Sequence, residues 1–172
     1  MTLNIILAIV QILGIIAVLY GIWIGIKQLK LNRQQRRDLA VMECARSFED
    51  REFTEAYRIL AELEPHLSPE EFKALGPEYK AAVLRVCMKF ETIGLLVYKD
   101  VVPIDAIEDL VGGVALLLWD ILHNFIVDAR ESGNHPTYFE WYHWLVDRLK
   151  ERGRFTKQPP AFVTHKNWKP KY

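Results

Sequence analysis

The apolar positions begin as one unbroken run. MTLNIILAIVQILGIIAVLYGIWIGI places no charged side chain in the first 26 residues. At about 1.5 Å per residue, Leu3 to Ile26 makes a helix of about 36 Å, enough to cross a hydrocarbon core of about 30 Å with some tilt. The next segment, KQLKLNRQQRR, holds Lys27, Lys30, Arg33, Arg36 and Arg37 and no acid. A secretory signal peptide carries its bases before a shorter apolar run and ends on small residues; here the bases follow. The positive-inside rule then predicts a single-pass inner-membrane protein, N-terminus out and everything after residue 27 in the cytoplasm. Tyr20 and Trp23 lie near that end, where aromatic rings favour the interface.

Inside the run the polar and small positions are ordered. Written in heptads, Asn4, Gln11, Val18 and Gly25 share position a, and Leu7, Gly14, Gly21 and Gln28 share position d. Every Asn, Gln and Gly from Leu3 to Gln28 falls on this seam, an arc of about 120°. Glycines let helix backbones approach closely, and amides in lipid seek partners across an interface. The seam predicts self-association, or a polar path, along Asn4, Gln11, Gly14, Val18, Gly21 and Gly25. A lone anchor with incidental polar residues is the alternative.

Beyond the run the period is helical throughout. No Pro or Gly occurs between Ile26 and Glu64, so the first helix continues to about Phe48. Phe53, Ala56, Tyr57, Leu60 and Leu63 repeat at three and four residues and predict a second helix, stopped by Pro65. Ser68-Pro69-Glu70-Glu71 is a capping box opening a short helix. Gly76-Pro77 opens the next, with Tyr79, Val83, Val86, Cys87, Phe90, Ile93, Gly94 and Val97 on its buried face. Pro103-Ile104-Asp105 begins a helix to about Arg130. Its middle, VALLLWDILHNFIV, is apolar nearly all round and reads as a central core helix. A second membrane span is the alternative, opposed by Asp120, His123 and Asn124. Gly133-Asn134-His135-Pro136 is a loop, and Thr137 is expected to cap a last helix to about Glu151. The fold class is all-α: an N-terminal transmembrane helix followed by a cytoplasmic helical bundle. Its expected parts are residues 1–26 as the span, 27–50 as a basic juxtamembrane segment and helical stalk, 51–151 as the α-helical domain, and 152–172 as a basic, aromatic tail.

Composition changes this picture in two ways. The formal net charge of zero hides a polarity: residues 38–151 hold all 22 acids, while both flanks are purely basic. Each Lys or Arg near an anionic surface is worth about 1 kcal/mol, so both basic ends suit an inner leaflet. The 2 cysteines, Cys44 and Cys87, are too few for a disulfide framework and fall in apolar helical contexts, as reduced thiols packed as small hydrophobes.

Candidate chemistry is sparse. Arg130 and His135 have an R-x4-H spacing, in which the His serves acid–base chemistry and the Arg stabilises developing charge. The structural alternative is that Arg130 pairs with Glu91 or Asp120, acids near apolar faces that need a partner. His123, His135 and His143 lack metal-ligand spacing, and no metal or cofactor is expected. Gly112-Gly113 lies within a helical pattern and suits close packing rather than phosphate binding. In the tail, Phe155, Phe162, Trp168 and Tyr172 interleave with bases, a pattern suited to RNA, lipid headgroups, a neighbouring subunit, or a strap over its own domain.

The R-x4-H element resembles the active motif of HEPN ribonucleases, α-bundles that usually act as dimers. It departs from that motif in having Glu131 after the Arg and Gly133 and Pro136 around the His. The chain as a whole looks like a bacterial family of uncharacterised proteins with one N-terminal span and an α-helical cytoplasmic domain. That resemblance rests on the basic juxtamembrane run, Phe90-Glu91 with Gly94, the Asp105/Asp109/Gly112 stretch, Trp119, Arg130 and Tyr138-Phe139-Glu140. The layout is also similar to the membrane accessory proteins of RNA-targeting type VI CRISPR systems, which resemble degenerate HEPN domains and are implied to form oligomeric pores. This implies a homo-oligomeric, pore-forming or membrane-perturbing effector in antiviral defence. Its partners would be the lipid bilayer, further copies of itself, and an RNA-targeting CRISPR nuclease or RNA, with no small-molecule substrate. A membrane-tethered ribonuclease using Arg130 and His135 and a passive membrane scaffold for a cytosolic partner are the alternatives.

Overall fold

The computed structural model describes residues 2–133 and 135–170, with side chains from residue 13 onward. Among the described residues the regular structure is helical: α1 (Thr2–Phe48), α2 (Arg51–Ala61), α3 (Pro69–Ala74), α4 (Pro77–Tyr98), α5 (Ile104–Ser132), α6 (Glu140–Arg152), α7 (Arg154–Lys157) and α8 (Ala161–Thr164). The chain forms two compact units, Met1–Ala40 and Val41–Tyr172.

The first unit is a single helical rod. Leu13, Ile16, Leu19, Ile22 and Trp23 are all more than half exposed. From Leu13 onward α1 is long and apolar enough to cross a membrane, with a mean hydropathy of 1.4 and none of that window buried. Helix α5 scores higher, at 1.8, yet 44% of its window is buried. Burial, not hydropathy, therefore separates the two: α5 is the core helix of the bundle.

The second unit is the bundle. Helix α4 packs against α2 and α6, and α5 against α6, α2 and α3. The face expected of α4 is the face it buries: Val83, Val86, Cys87, Phe90, Ile93 and Gly94. Phe90 stacks on Tyr142 of α6 at 4.9 Å and meets Phe48 and Phe53 on its other side. At Gly94 the helices α4 and α6 approach closely, because a Cβ there would collide with the carbonyl of Trp141. The polar residues of α5 have bundle partners. Asn124 Nδ2 donates to the carbonyls of His66 and Leu67 at 3.1 and 3.3 Å, and the Asp120 carbonyl accepts from the His66 N–H. Together they hold the α2–α3 connection onto the core helix.

Two boundaries differ from expectation. The stalk foreseen over 27–50 ends in the bundle: Cys44 is buried, Phe48 lies 5.0 Å from Phe53, and Lys89 Nζ donates to the Ser47 carbonyl at 2.7 Å. A cation at the last carbonyls of a helix satisfies groups that have no partner within it. The last helix starts later than foreseen, and Thr137 does not cap it. Its N-cap is Phe139, in the left-handed region at φ 54°, with no side-chain cap hydrogen bond. The physical reason is burial: Phe139 is only 3% exposed, and turning its ring inward takes residues 136–139 out of the helix. The capping box at Ser68 and Glu71 forms as expected, with both hydrogen bonds made.

Candidate functional site

The connection between α5 and α6 gathers most of the residues that sequence singled out. Helix α6 begins without a cap of its own, so its free N–H groups need acceptors from elsewhere. Glu91, half-buried on α4, supplies them. Its Oε2 accepts from the Tyr142 N–H at 2.9 Å, and the Trp141 N–H also faces it. A carboxylate at a helix N-terminus gains from both the N–H donors and the helix dipole. Burial nevertheless raises the Glu91 carboxyl above its ordinary value, with the two N–H groups and the nearby charge of Arg130 pulling it back and Glu140 pushing it further up.

Arg130 works on the same turn from the opposite polarity. Its Nε donates to the Tyr138 carbonyl at 2.7 Å and its Nη2 to the Phe139 carbonyl at 3.0 Å. Its Nη1 donates to His143 Nδ1 at 3.1 Å. A guanidinium has only donors, so the facing Nδ1 is the unprotonated nitrogen and the ring hydrogen sits on Nε2, 3.8 Å from Asp147. Burial lowers the His143 pKa first, with Arg130, His123 and Lys150 lowering it further against the raising effect of Asp147. His143 also stacks on Trp119 at 4.7 Å.

The expected ion pair between Arg130 and Glu91 or Asp120 is therefore replaced. Among the described residues, the hydrogen bonds of Arg130 go to two carbonyls and a histidine, while Asp120 pairs with Lys150 at 3.6 Å. Arg130 and Glu91 do meet at one place, but through the backbone of residues 138–142, one holding carbonyls and the other N–H groups. His135 is exposed in the loop. It meets Arg130 by main chain only, its N–H donating to the Arg130 carbonyl at 3.2 Å. The histidine at the guanidinium is His143, which the R-x4-H spacing did not single out. Its signal was position: it follows Tyr142 on the helix whose aromatic face enters the core. Among the described residues no group of His, Cys, Asp and Glu is placed to hold a metal ion.

In the first unit, a Cβ added at Gly14, Gly21 or Gly25 would meet nothing within 4 Å. Gly14 and Val18 line a shallow apolar hollow with Ile15 and Leu19. Asn4 and Gln11, the amides of the proposed seam, lie outside the residues whose side chains are described. Lys27 lies over the Trp23 ring at 4.6 Å, a cation–π contact within the basic run.

The basic C-terminus makes a third cluster: its start straps over the bundle, one of the alternatives the sequence offered, through ion pairs that the sequence did not single out. Arg152 Nε donates to Glu108 Oε2 at 2.9 Å, and its Nη2 pairs with Asp105. Arg154 pairs with Asp109. Glu108 is 5% exposed, and a carboxylate so buried needs its cation. Phe155 then lies against Gly112 and Gly113, whose missing side chains give its ring room.

No curated protein and no solved structure matches the chain. Residues 8–149 match the family described as "Domain of unknown function (DUF4760)". The match takes in α1 from residue 8 and the bundle through α6 up to Leu149, and the chain belongs to that family.

Proposed function

We propose that the protein is a single-pass, homo-oligomeric membrane protein whose spans pack along the Gly14, Val18, Gly21 and Gly25 face. The observation that carries this reading is that α1 has, from Leu13 on, an apolar stretch long enough to cross a membrane with none of it buried, and that a Cβ at Gly14, Gly21 or Gly25 would meet nothing. Lipid covers such a helix, and a glycine face admits a second helix at close range. The basic run Lys27, Lys30, Arg33, Arg36 and Arg37 would sit at the cytoplasmic surface. Assembled spans carrying Asn4 and Gln11 on one face would perturb or open the bilayer, which makes a membrane-directed effector role, in antiviral defence, the extension of the same proposal. Arg130 and Glu91 serve this protein as architecture, since both are committed to backbone groups. That arrangement favours the non-enzymatic reading over the ribonuclease one.

The test is the mass of the detergent-solubilised full chain. An oligomer that Gly21→Leu or Gly25→Leu disperses supports the proposal; a monomer insensitive to both sinks it. For the extension, a potential-sensitive dye in expressing cells should respond, and Gln11→Leu should alter that response.

A further inference from the structure

Residues 152–172 hold Arg152, Arg154, Lys157, Lys166, Lys169 and Lys171 and no acid, and the structure divides this segment in two. Its first part is fastened to the bundle by Arg152 on Asp105 and Glu108, Arg154 on Asp109, and Phe155 on Gly112 and Gly113. Its second part is not. Among the described residues, the hydrogen bonds made from Pro159 to Pro170 stay within that stretch: Thr164 to the carbonyls of Pro159 and Pro160, His165 to Ala161, and Trp168 to His165. It presents Phe162 at 79%, Val163 at 51% and Trp168 at 71% exposure, beside Lys166 and Lys169.

Three kinds of surface take bases with aromatics: nucleic acid, another protein, and an anionic bilayer. Single-stranded nucleic acid stacks on rings fixed along a charged groove; Phe162 stands on the four-residue α8 and Trp168 on irregular backbone beyond it, and neither ring makes a ring contact with the bundle among the described residues. A second copy would offer chiefly the acidic 38–151 body, where Asp105, Glu108 and Asp109 are already paired with Arg152 and Arg154 of the tail itself. A bilayer bearing anionic headgroups suits every feature. Trp and Phe favour the headgroup boundary, and lysine stems run along apolar surface with their heads in water. Charge also selects this segment, because the acidic body is repelled by the surface that attracts the tail.

We propose that residues 158–170 are a surface-seeking segment that lays Phe162 and Trp168 into the headgroup region of an anionic bilayer, with Lys166 and Lys169 against lipid phosphates. The inference rests on reading α1 as a membrane span, which keeps the tail close to its lipid. Fastening at Arg152, Arg154 and Phe155 makes the tail a second point of membrane attachment for the bundle, independent of α1.

The experiment places the full chain in lipid nanodiscs of phosphatidylcholine, with or without phosphatidylglycerol. Trypsin cleavage after Lys166 and hydrogen exchange over 159–169 are followed. Both should slow about tenfold in the anionic discs and recover in about 0.5 M salt. The double variant Phe162→Ser, Trp168→Ser should lose the protection while exchange in α5 and α6 stays unchanged. Equal rates in the two lipid compositions, with the chain still in the discs, overturn the tail proposal alone. Protection by single-stranded RNA in neutral discs, and none by anionic lipid, overturns it in favour of nucleic acid. A chain that leaves the discs overturns it together with the reading of α1.

Discussion

Arg130 and Glu91 act as a pair that never touches. Each satisfies backbone groups of one turn, residues 138–142, that the late start of α6 leaves without local partners. Arg130→Ala should destabilise the bundle by about 2–3 kcal/mol, because two carbonyls lose a charged donor. Arg130→Lys should recover less than half of that, since one ammonium cannot reproduce the planar fork. Chemical denaturation of the detergent-solubilised chain measures both. Glu91→Ala should cost about 1–2 kcal/mol as a lost helix cap. Glu91→Gln keeps an acceptor oxygen for the Tyr142 N–H and should cost less. That both residues matter was legible in the sequence, because a cation and an acid beside apolar faces require partners. Their true partners were not, because main-chain carbonyls and N–H groups leave no mark on side-chain pattern. The loop position of His135 was legible from Gly133 and Pro136; that His143, on the next helix, comes back to the guanidinium was not, because it is a tertiary contact that no spacing marks.

At the scale of elements, helix starts were read with unequal success, and the reason is local chemistry. Ser68 and Glu71 cap α3 by side chains that each accept from the other's backbone N–H three residues away, so four residues of sequence suffice to see it. Ser68→Ala should cost about 1 kcal/mol. Thr137→Ala should change stability by no more than about 0.5 kcal/mol, because Thr137 stands outside the helix it was expected to cap. Thermal unfolding of the two variants side by side separates a true cap from an apparent one. The contact between α4 and α6 depends on Gly94. Gly94→Ala should cost about 1–3 kcal/mol, since its methyl meets a main-chain carbonyl that cannot turn aside. The long helices were legible because their apolar faces repeat over many turns. The fastening of Arg152 and Arg154 to α5 was not, because it joins residues 44 or more positions apart on surfaces that sequence shows only as charge.

For the whole molecule, the two titrating groups at the α6 start tilt stability in opposite directions. His143 is lowered, so below its ordinary value near 6.5 the unfolded chain takes a proton that the folded chain refuses. Stability is then lost as pH falls through 6.5, levelling off below the folded pKa. Glu91 is raised above 4.5, so the folded chain keeps a proton that the unfolded chain has released. Its contribution is full below 4.5 and declines as pH rises through the folded pKa. His143→Asn, which keeps an acceptor for Arg130, should flatten the loss on the acid side of pH 6.5. Glu91→Gln should steepen it, by removing the opposing slope. Denaturant midpoints between pH 4 and 7 decide both.

One quiet feature of the bundle makes the assembly question tractable. Cys44 and Cys87 are both buried, Cys87 completely, and burial holds both thiols above their ordinary value, Cys87 well above it. Thiolate is the reactive form, so the native chain should be silent to a thiol reagent such as dithionitrobenzoate until it is denatured. A chain with silent native thiols is a ready background for cross-link mapping. Single cysteines placed at Val18, or one position away at Leu19, can be oxidised in the membrane without removing Cys44 or Cys87, and the position that couples reports which side of the helix faces its neighbour.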